Sequence, residues 1–212
     1  MISTRRAVLT LALAAAGTSV PPALPGQSST TITTVLNETY AKFKDLQEGK
    51  NADYIPALAK VDPKIFGIAL VTVDGKVYTA GDVKSEVSIQ SISKPFTLAK
   101  VIEEQGPEII EKTIGVDATG MRFNSIVSVE LSQKVLGGPE MNSLVNPGAI
   151  ATTSMVKGAD RAAIWNSILS FYSDFAGRPL KVNQEVFKSE ADTNQRNQAI
   201  GMLMYAYGYI KA

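Results

Sequence analysis

The sequence predicts an α+β domain, and three observations carry that reading. Ile65 to Val73 (IFGIALVTV) is rich in β-branched and apolar residues, and Lys76 to Ala80 follows it across Asp74-Gly75. Two such runs around Asp-Gly are the strongest short-range hairpin signal that a sequence offers. From Pro95 onward the pattern is mostly helical, and no further run of strand quality precedes Ala212. One hairpin followed by many helices is an α+β pattern. An isolated pair of strands is marginal in water, so the chain is expected to be an incomplete version of a domain with more strands.

The elements can be justified in order. Residues 1–26 have the three-part pattern of an export signal: a basic start at Arg5-Arg6, an apolar run from Ala7 to Ala16 interrupted only by Thr10, then small residues and prolines. That run is too short to span a bilayer. Thr4-Arg5-Arg6-Ala7-Val8-Leu9 also resembles a twin-arginine signal, the alternative being a plain secretory signal that carries two arginines. The expectation is a periplasmic or secreted protein with no stable membrane anchor after signal removal. Residues 27–35 are Ser/Thr-rich and read as a linker, leaving 36–212 as the domain.

Within the domain, Leu36 to Leu46 reads as a helix stopped by Gly49, and Ala52 to Lys60 as a short helix with Pro56 in its first turn. After the hairpin, Pro95 to Glu104 and Glu108 to Lys112 form two helices broken at Gly106-Pro107. Arg161 to Ala176 is the clearest helix, with Asp160 placed to cap its start and Gly177 to end it. Ile164, Ile168, Phe171 and Phe175 fall on one stripe, which Trp165 and Tyr172 widen as core residues. Ala191 to Ile210 reads as one or two last helices.

Composition excludes several chemistries. The 212 residues contain no cysteine and no histidine. There is therefore no disulfide, thiol nucleophile or thiolate metal site, and no imidazole base. A net charge of +1 with no basic stripe gives no footprint for nucleic acid.

A serine activated without histidine needs another base, and a desolvated lysine can serve. Ser91-Ile92-Ser93-Lys94 is an S-x-x-K pattern whose i and i+3 positions share a helix face, so the lysine nitrogen can reach the serine hydroxyl. Ser154-Met155-Val156-Lys157 satisfies the same pattern, so at least one of the two is chance. Ser154 ends an Ala/Thr stretch before a glycine-containing turn and reads as helix surface. Ser91 follows the hairpin and opens a helix, as the nucleophile does in serine hydrolases of the β-lactamase and penicillin-binding group. The pattern alone leaves both a catalytic Ser91 and an ordinary helix start open.

Five segments in order then resemble the serine-dependent glutaminases, whose fold is β-lactamase-like. They are Ala52-Asp53-Tyr54-Ile55-Pro56, Gln90-Ser91-Ile92-Ser93-Lys94, Gly120-Met121-Arg122-Phe123-Asn124-Ser125, Val145-Asn146-Pro147-Gly148-Ala149-Ile150, and Ser189-Glu190 followed by Arg196-Asn197. The resemblance implies hydrolysis of L-glutamine to L-glutamate and ammonia, with Ser91 as nucleophile and Lys94 as its base. It implies substrate contacts at Tyr54, Ser91, Asn146, Glu190 and Asn197, and neither a cofactor nor a metal. Glu190 suits the substrate ammonium, and the Asn146 and Asn197 amides suit its carboxylate. Taken one at a time, Asn146 also reads as a turn residue before Pro147-Gly148, and Glu190 and Asn197 as solvated helix positions.

The chain departs from the family pattern at several places. Ala118-Thr119-Gly120 replaces PSG, Asn142-Ser143-Leu144 replaces NPM, and Pro147 replaces an alanine, which removes an N–H beside Asn146. Gln195 replaces an acidic residue. The family's later strands, two further active-site tyrosines and an oxyanion-hole N–H have no counterpart before Ala212. The expectations that compete with an amidohydrolase are a β-lactamase or D,D-peptidase-like acyltransferase, and an inactive truncated chain that is inert or only binds partners through its exposed strand edge; a homo-oligomer is a separate expectation.

Overall fold

The computed structural model describes residues 29–134, 137 and 141–210. The expected export signal, with Arg5-Arg6, lies outside the described residues, as do the first two residues of the expected linker. The chain divides into two compact bodies. Among the described residues, one contains 29–88 together with Glu185–Thr193; the other contains Ile89–Gln184 and 194–210.

The smaller body is built on the hairpin. Helix α1 (Ser29–Phe43) packs against strands β1 (Gly67–Val71) and β2 (Val77–Gly81), with the one-turn helix α2 (Pro56–Ala59) between them in sequence. The strands pair antiparallel, from Gly67↔Gly81 to Val71↔Val77, and among the described residues they are the whole sheet. Asp74-Gly75 turns the chain as expected, within the five residues 72–76 that connect the strands. The Gly75 N–H donates to the Thr72 carbonyl at 2.9 Å, and Gly75 takes φ +82°, which a side chain would resist. The Thr72 hydroxyl and then the Lys76 ammonium, 2.9 Å away, hold the Asp74 carboxyl down to about 2.

Two sequence expectations are corrected here. Residues 29–35, read as linker, are the first turns of α1. Ser and Thr cost only a few tenths of a kcal/mol each in a helix. Burial of Leu36 and the stacking of Tyr40 on Phe66, 5.5 Å between ring centroids, outweigh that cost. The helix expected over Ala52 to Lys60 shrinks to α2, because a residue before proline is pushed out of the helical region: Ile55 sits at φ −116°, ψ 102°.

The larger body is helical. A 3-10 turn (Gln90–Ile92) runs directly into α3 (Ser93–Gln105), followed by α4 (Glu108–Thr113), α5 (Val127–Lys134), α6 (Asn146–Ser154) and α7 (Arg161–Ala176). Helix α8 (Gln184–Ala191) leads into Glu185–Thr193 of the smaller body, and α9 (Gln195–Ala206) returns to the larger one. Helix α3 packs on α6 and α7, and α9 packs on α6 and α5. Val101, Ile110, Ile114, Val129, Met141, Ala151, Val156, Ile200 and Met204 form the core between them. Gly106-Pro107 separates α3 from α4 as the sequence predicts. Among the described residues no helix is long and apolar enough to cross a membrane.

Helix α7 has the predicted bounds. Asp160 Oδ1 accepts the Ala163 N–H at 2.8 Å, and Gly177 closes the helix at φ +65°. Ile164 and Ile168 pack on the core, while Phe171 and Phe175 join Phe96. Trp165 does not belong to the core: it is 48% exposed, because one step from Ile164 is 100° around the helix. Asp160→Ala should lower unfolding free energy by about 1 kcal/mol. A urea melt of the purified protein, with an unchanged slope, is the check.

Candidate active site

Ser91 lies in the 3-10 turn, with its side chain exposed. The residue before it, Gln90, has φ +43°, the only positive φ among the described residues that are not glycine. A backbone of that kind costs on the order of 1–3 kcal/mol and persists only where its surroundings fix it. Here the Ser93 N–H reaches back to the carbonyls of both Gln90 and Ser91.

Lys94 occupies the first turn of α3 and is half-buried. Its Nζ donates to Asn146 Oδ1 at 2.7 Å and to the Leu144 carbonyl at 3.3 Å, and it stands 5.9 Å from the centroid of the Phe123 ring. Burial pushes the Lys94 pKa below the ordinary lysine value of 10.5, since withdrawing water disfavours the ammonium. Among the described residues no ion pair compensates the charge. The expected reach from Lys94 to the Ser91 hydroxyl is not made in this structure, because the long lysine stem carries its nitrogen toward the start of α6. Hydrogen bonds between catalytic groups often tighten only when substrate is bound.

Asn146 is the first residue of α6, so the turn reading of Asn146-Pro147-Gly148 gives way to a helix start. The N–H that Pro147 lacks is one of those a first helical turn leaves unpaired anyway. Gly148 is required by a close approach: a Cβ there would come within 1.8 Å of the Asn142 carbonyl oxygen. The Asn146 N–H donates to the Phe123 carbonyl at 2.7 Å, and its Nδ2 donates to Asn197 Oδ1 on α9 at 2.9 Å. One residue before Asn197, Arg196 Nε donates to the Asn124 carbonyl at 2.9 Å. Three separated motifs of the sequence thus meet around Lys94.

Of the sequence-predicted residues, Ser91, Lys94, Asn146 and Asn197 lie in the larger body, and Lys94, Asn146 and Asn197 are linked directly. Tyr54 and Glu190 belong to the smaller body. Tyr54, 66% exposed, lies in the turn before α2, and Glu190 lies on α8. Ser189 Oγ accepts the Ala57 N–H at 3.1 Å, which joins those two segments. The second S-x-x-K is spent elsewhere. Ser154 Oγ donates to the Ala151 carbonyl at 2.7 Å, and Lys157 Nζ to the Glu104 carbonyl at 3.0 Å.

Sequence reasoning missed three neighbours of this cluster. Phe123 sits inside a matched motif, which is a usable signal. The Leu144 carbonyl is backbone and carries none. Tyr172 was read as core, yet its hydroxyl donates to the Ser93 carbonyl at 3.2 Å. Among the described residues no cluster of three or more carboxylates is placed to hold a metal ion.

Comparison with known proteins decides the family. The glutaminase family profile matches residues 49–212. The chain belongs to the glutaminase family. It is 50% identical over 176 residues to a glutaminase of Colwellia psychrerythraea, covering 83% of this chain and 55% of that protein. It is 46% identical over 181 residues to a glutaminase of Brucella suis, covering 85% and 56%. Among solved structures, the probable glutaminase ybaS matches with a TM-score of 0.82 and 39% identity, over 88% of this chain and 59% of that one. Mglu in its native form matches with a TM-score of 0.75 and 30% identity, over 85% and 43%. The chain spans about half the length of the curated relatives it matches, and the α+β, β-lactamase-like reading agrees with these neighbours.

Two outcomes follow for this chain. Competitive acylation over a pH series, read by peptide mass spectrometry, should place the Lys94 midpoint below 10.5. It should place Lys76, raised by Asp74, above that value. Gly148→Ala should lower unfolding free energy by about 1–3 kcal/mol in the same urea melt, because the backbone must move to admit the methyl.

Proposed function

We propose that this protein hydrolyses L-glutamine to L-glutamate and ammonia through an ester on Ser91. The observation that carries the reading is the seat of Lys94. A neutral lysine amine has two N–H groups and one lone pair. Asn146 Oδ1 and the Leu144 carbonyl accept the two N–H groups, which leaves the lone pair for a proton. Partial burial makes that neutral form more accessible than it is for a solvated lysine.

Ser91 Oγ attacks the side-chain carboxamide carbon while Lys94 takes the hydroxyl proton. Lys94 returns the proton to the departing nitrogen, so ammonia leaves and a glutamyl ester remains on Ser91. Water, deprotonated by Lys94, attacks the ester, and the proton goes back to Ser91 as glutamate departs. Asn146 and Asn197 recognise the substrate carboxylate, since groups of this kind reject ligands that lack their partners. The 46–50% identity to named glutaminases supports the substrate. Mglu, 30% identical, has also been solved in its glutamate form. The basic start and apolar run of residues 1–26 support export of the protein.

Ammonia release from glutamine, followed by a coupled assay, should rise with pH through the Lys94 titration. In Ser91→Ala it should fall by about 10³-fold or more with the melt unchanged. A Ser91→Ala protein that keeps the parent rate would remove Ser91 as nucleophile.

A further inference from the structure

The Ser93 peptide groups connect the two reacting side chains. The Ser93 N–H closes the turn that carries Ser91. The Ser93 carbonyl shares a rigid amide plane with the Lys94 nitrogen. Two hydroxyls converge on that carbonyl, Thr97 Oγ1 at 3.1 Å and the Tyr172 hydroxyl at 3.2 Å, and they also touch each other; with one proton each, when Tyr172 donates to the carbonyl it can accept from Thr97. Thr97 is buried on α3 itself, whereas Tyr172 reaches across from α7. Its ring is held in place by Phe96, 6.2 Å between centroids, and Phe96 in turn by Phe175 at 5.0 Å.

We propose that Tyr172 is a positioning residue for the Ser91–Lys94 pair: its hydroxyl fixes the Ser93–Lys94 peptide plane and so aims the Lys94 side chain at Asn146 and Leu144. A packing role alone would need only the ring. The hydroxyl is placed instead on the carbonyl between nucleophile and base, at the first residue of α3. Removing it frees that carbonyl of a side-chain partner and gives Lys94 room to swing toward water.

The proposal rests on the reading of Ser91 and Lys94 as the reacting pair, and its test does not need turnover. In the purified full chain, competitive acylation gives the Lys94 titration midpoint. Tyr172→Phe keeps the ring and should move that midpoint up, toward the ordinary lysine value, by about half a pH unit or more. Thr97→Val, which removes the other hydroxyl at nearly constant shape, should move it the same way. Phe96→Leu weakens the aromatic packing and should lower the melt while leaving the Lys94 midpoint in place. If neither hydroxyl deletion moves Lys94, or if Phe96→Leu moves it equally, the proposal is wrong. Where turnover is measurable, Tyr172→Phe should lower kcat several-fold with KM unchanged. A chain that shows the Lys94 shift but releases no ammonia would sink the proposed reaction and leave the Tyr172 role standing.

Discussion

The primary amide of Asn146 has one accepting and one donating end, and both are committed. Lys94 donates at this contact, so it meets Oδ1; Nδ2 is then left facing Asn197 Oδ1. That polarity ties α3, α6 and α9 together at one point, and the surrounding sequence serves it. Val145 enters extended, Pro147 starts the helix without wasting an N–H, and Gly148 lets the turn lie against Asn142. The Phe123 carbonyl takes the Asn146 N–H, and the Phe123 ring limits the water around Lys94. Replacing the amide by a carboxylate or an apolar group would leave either Lys94 or Asn197 without its complement in a partly dry place, where unpaired polar groups are costly.

Helix α3 is held differently at its two ends. Its first turn carries Lys94 and is held by hydrogen bonds rather than by an ion pair. Its last turns carry a nearly buried ion pair, Lys100 with Glu104 at 2.9 Å. Lys100 also faces the Phe171 ring at 5.1 Å, and Glu104 accepts the Lys157 N–H at 2.9 Å. Burying such a pair adds little net stability but penalises any arrangement that separates it. The contacts that leave α3, Lys100 on the Phe171 ring and Glu104 on the Lys157 N–H, bear on its rotation about its axis and so on the direction in which Lys94 leaves the helix.

What the sequence revealed was mostly local. Asp74-Gly75 announced the hairpin, and Asp160 and Gly177 bracketed α7 to the residue, because turns and caps depend on a few neighbouring atoms. The Ser/Thr run at 29–35 misled because propensity is weak and the strands that α1 packs against lie more than thirty residues ahead. Trp165 and Tyr172 were grouped by type, yet one faces water and the other the Ser93 carbonyl, a distinction made by α3 and not by α7. Ser91, Lys94, Asn146 and Asn197 were legible as parts of motifs. That Lys94 turns toward Asn146 rather than Ser91 was not, since the choice between acceptors depends on how α6 approaches α3.

The hairpin has a consequence for how the polypeptide behaves in bulk solution. Val71, Val73 and Val77 are exposed, and among the described residues each strand has one edge without a backbone partner. Such edges attract one another. Soluble proteins usually oppose that attraction with net charge, and this chain carries only +1. Short-range attraction is thus met by almost no long-range repulsion. The colloidal stability of the chain is governed by its concentration and by what occupies those two edges, rather than by the salt that normally tunes it.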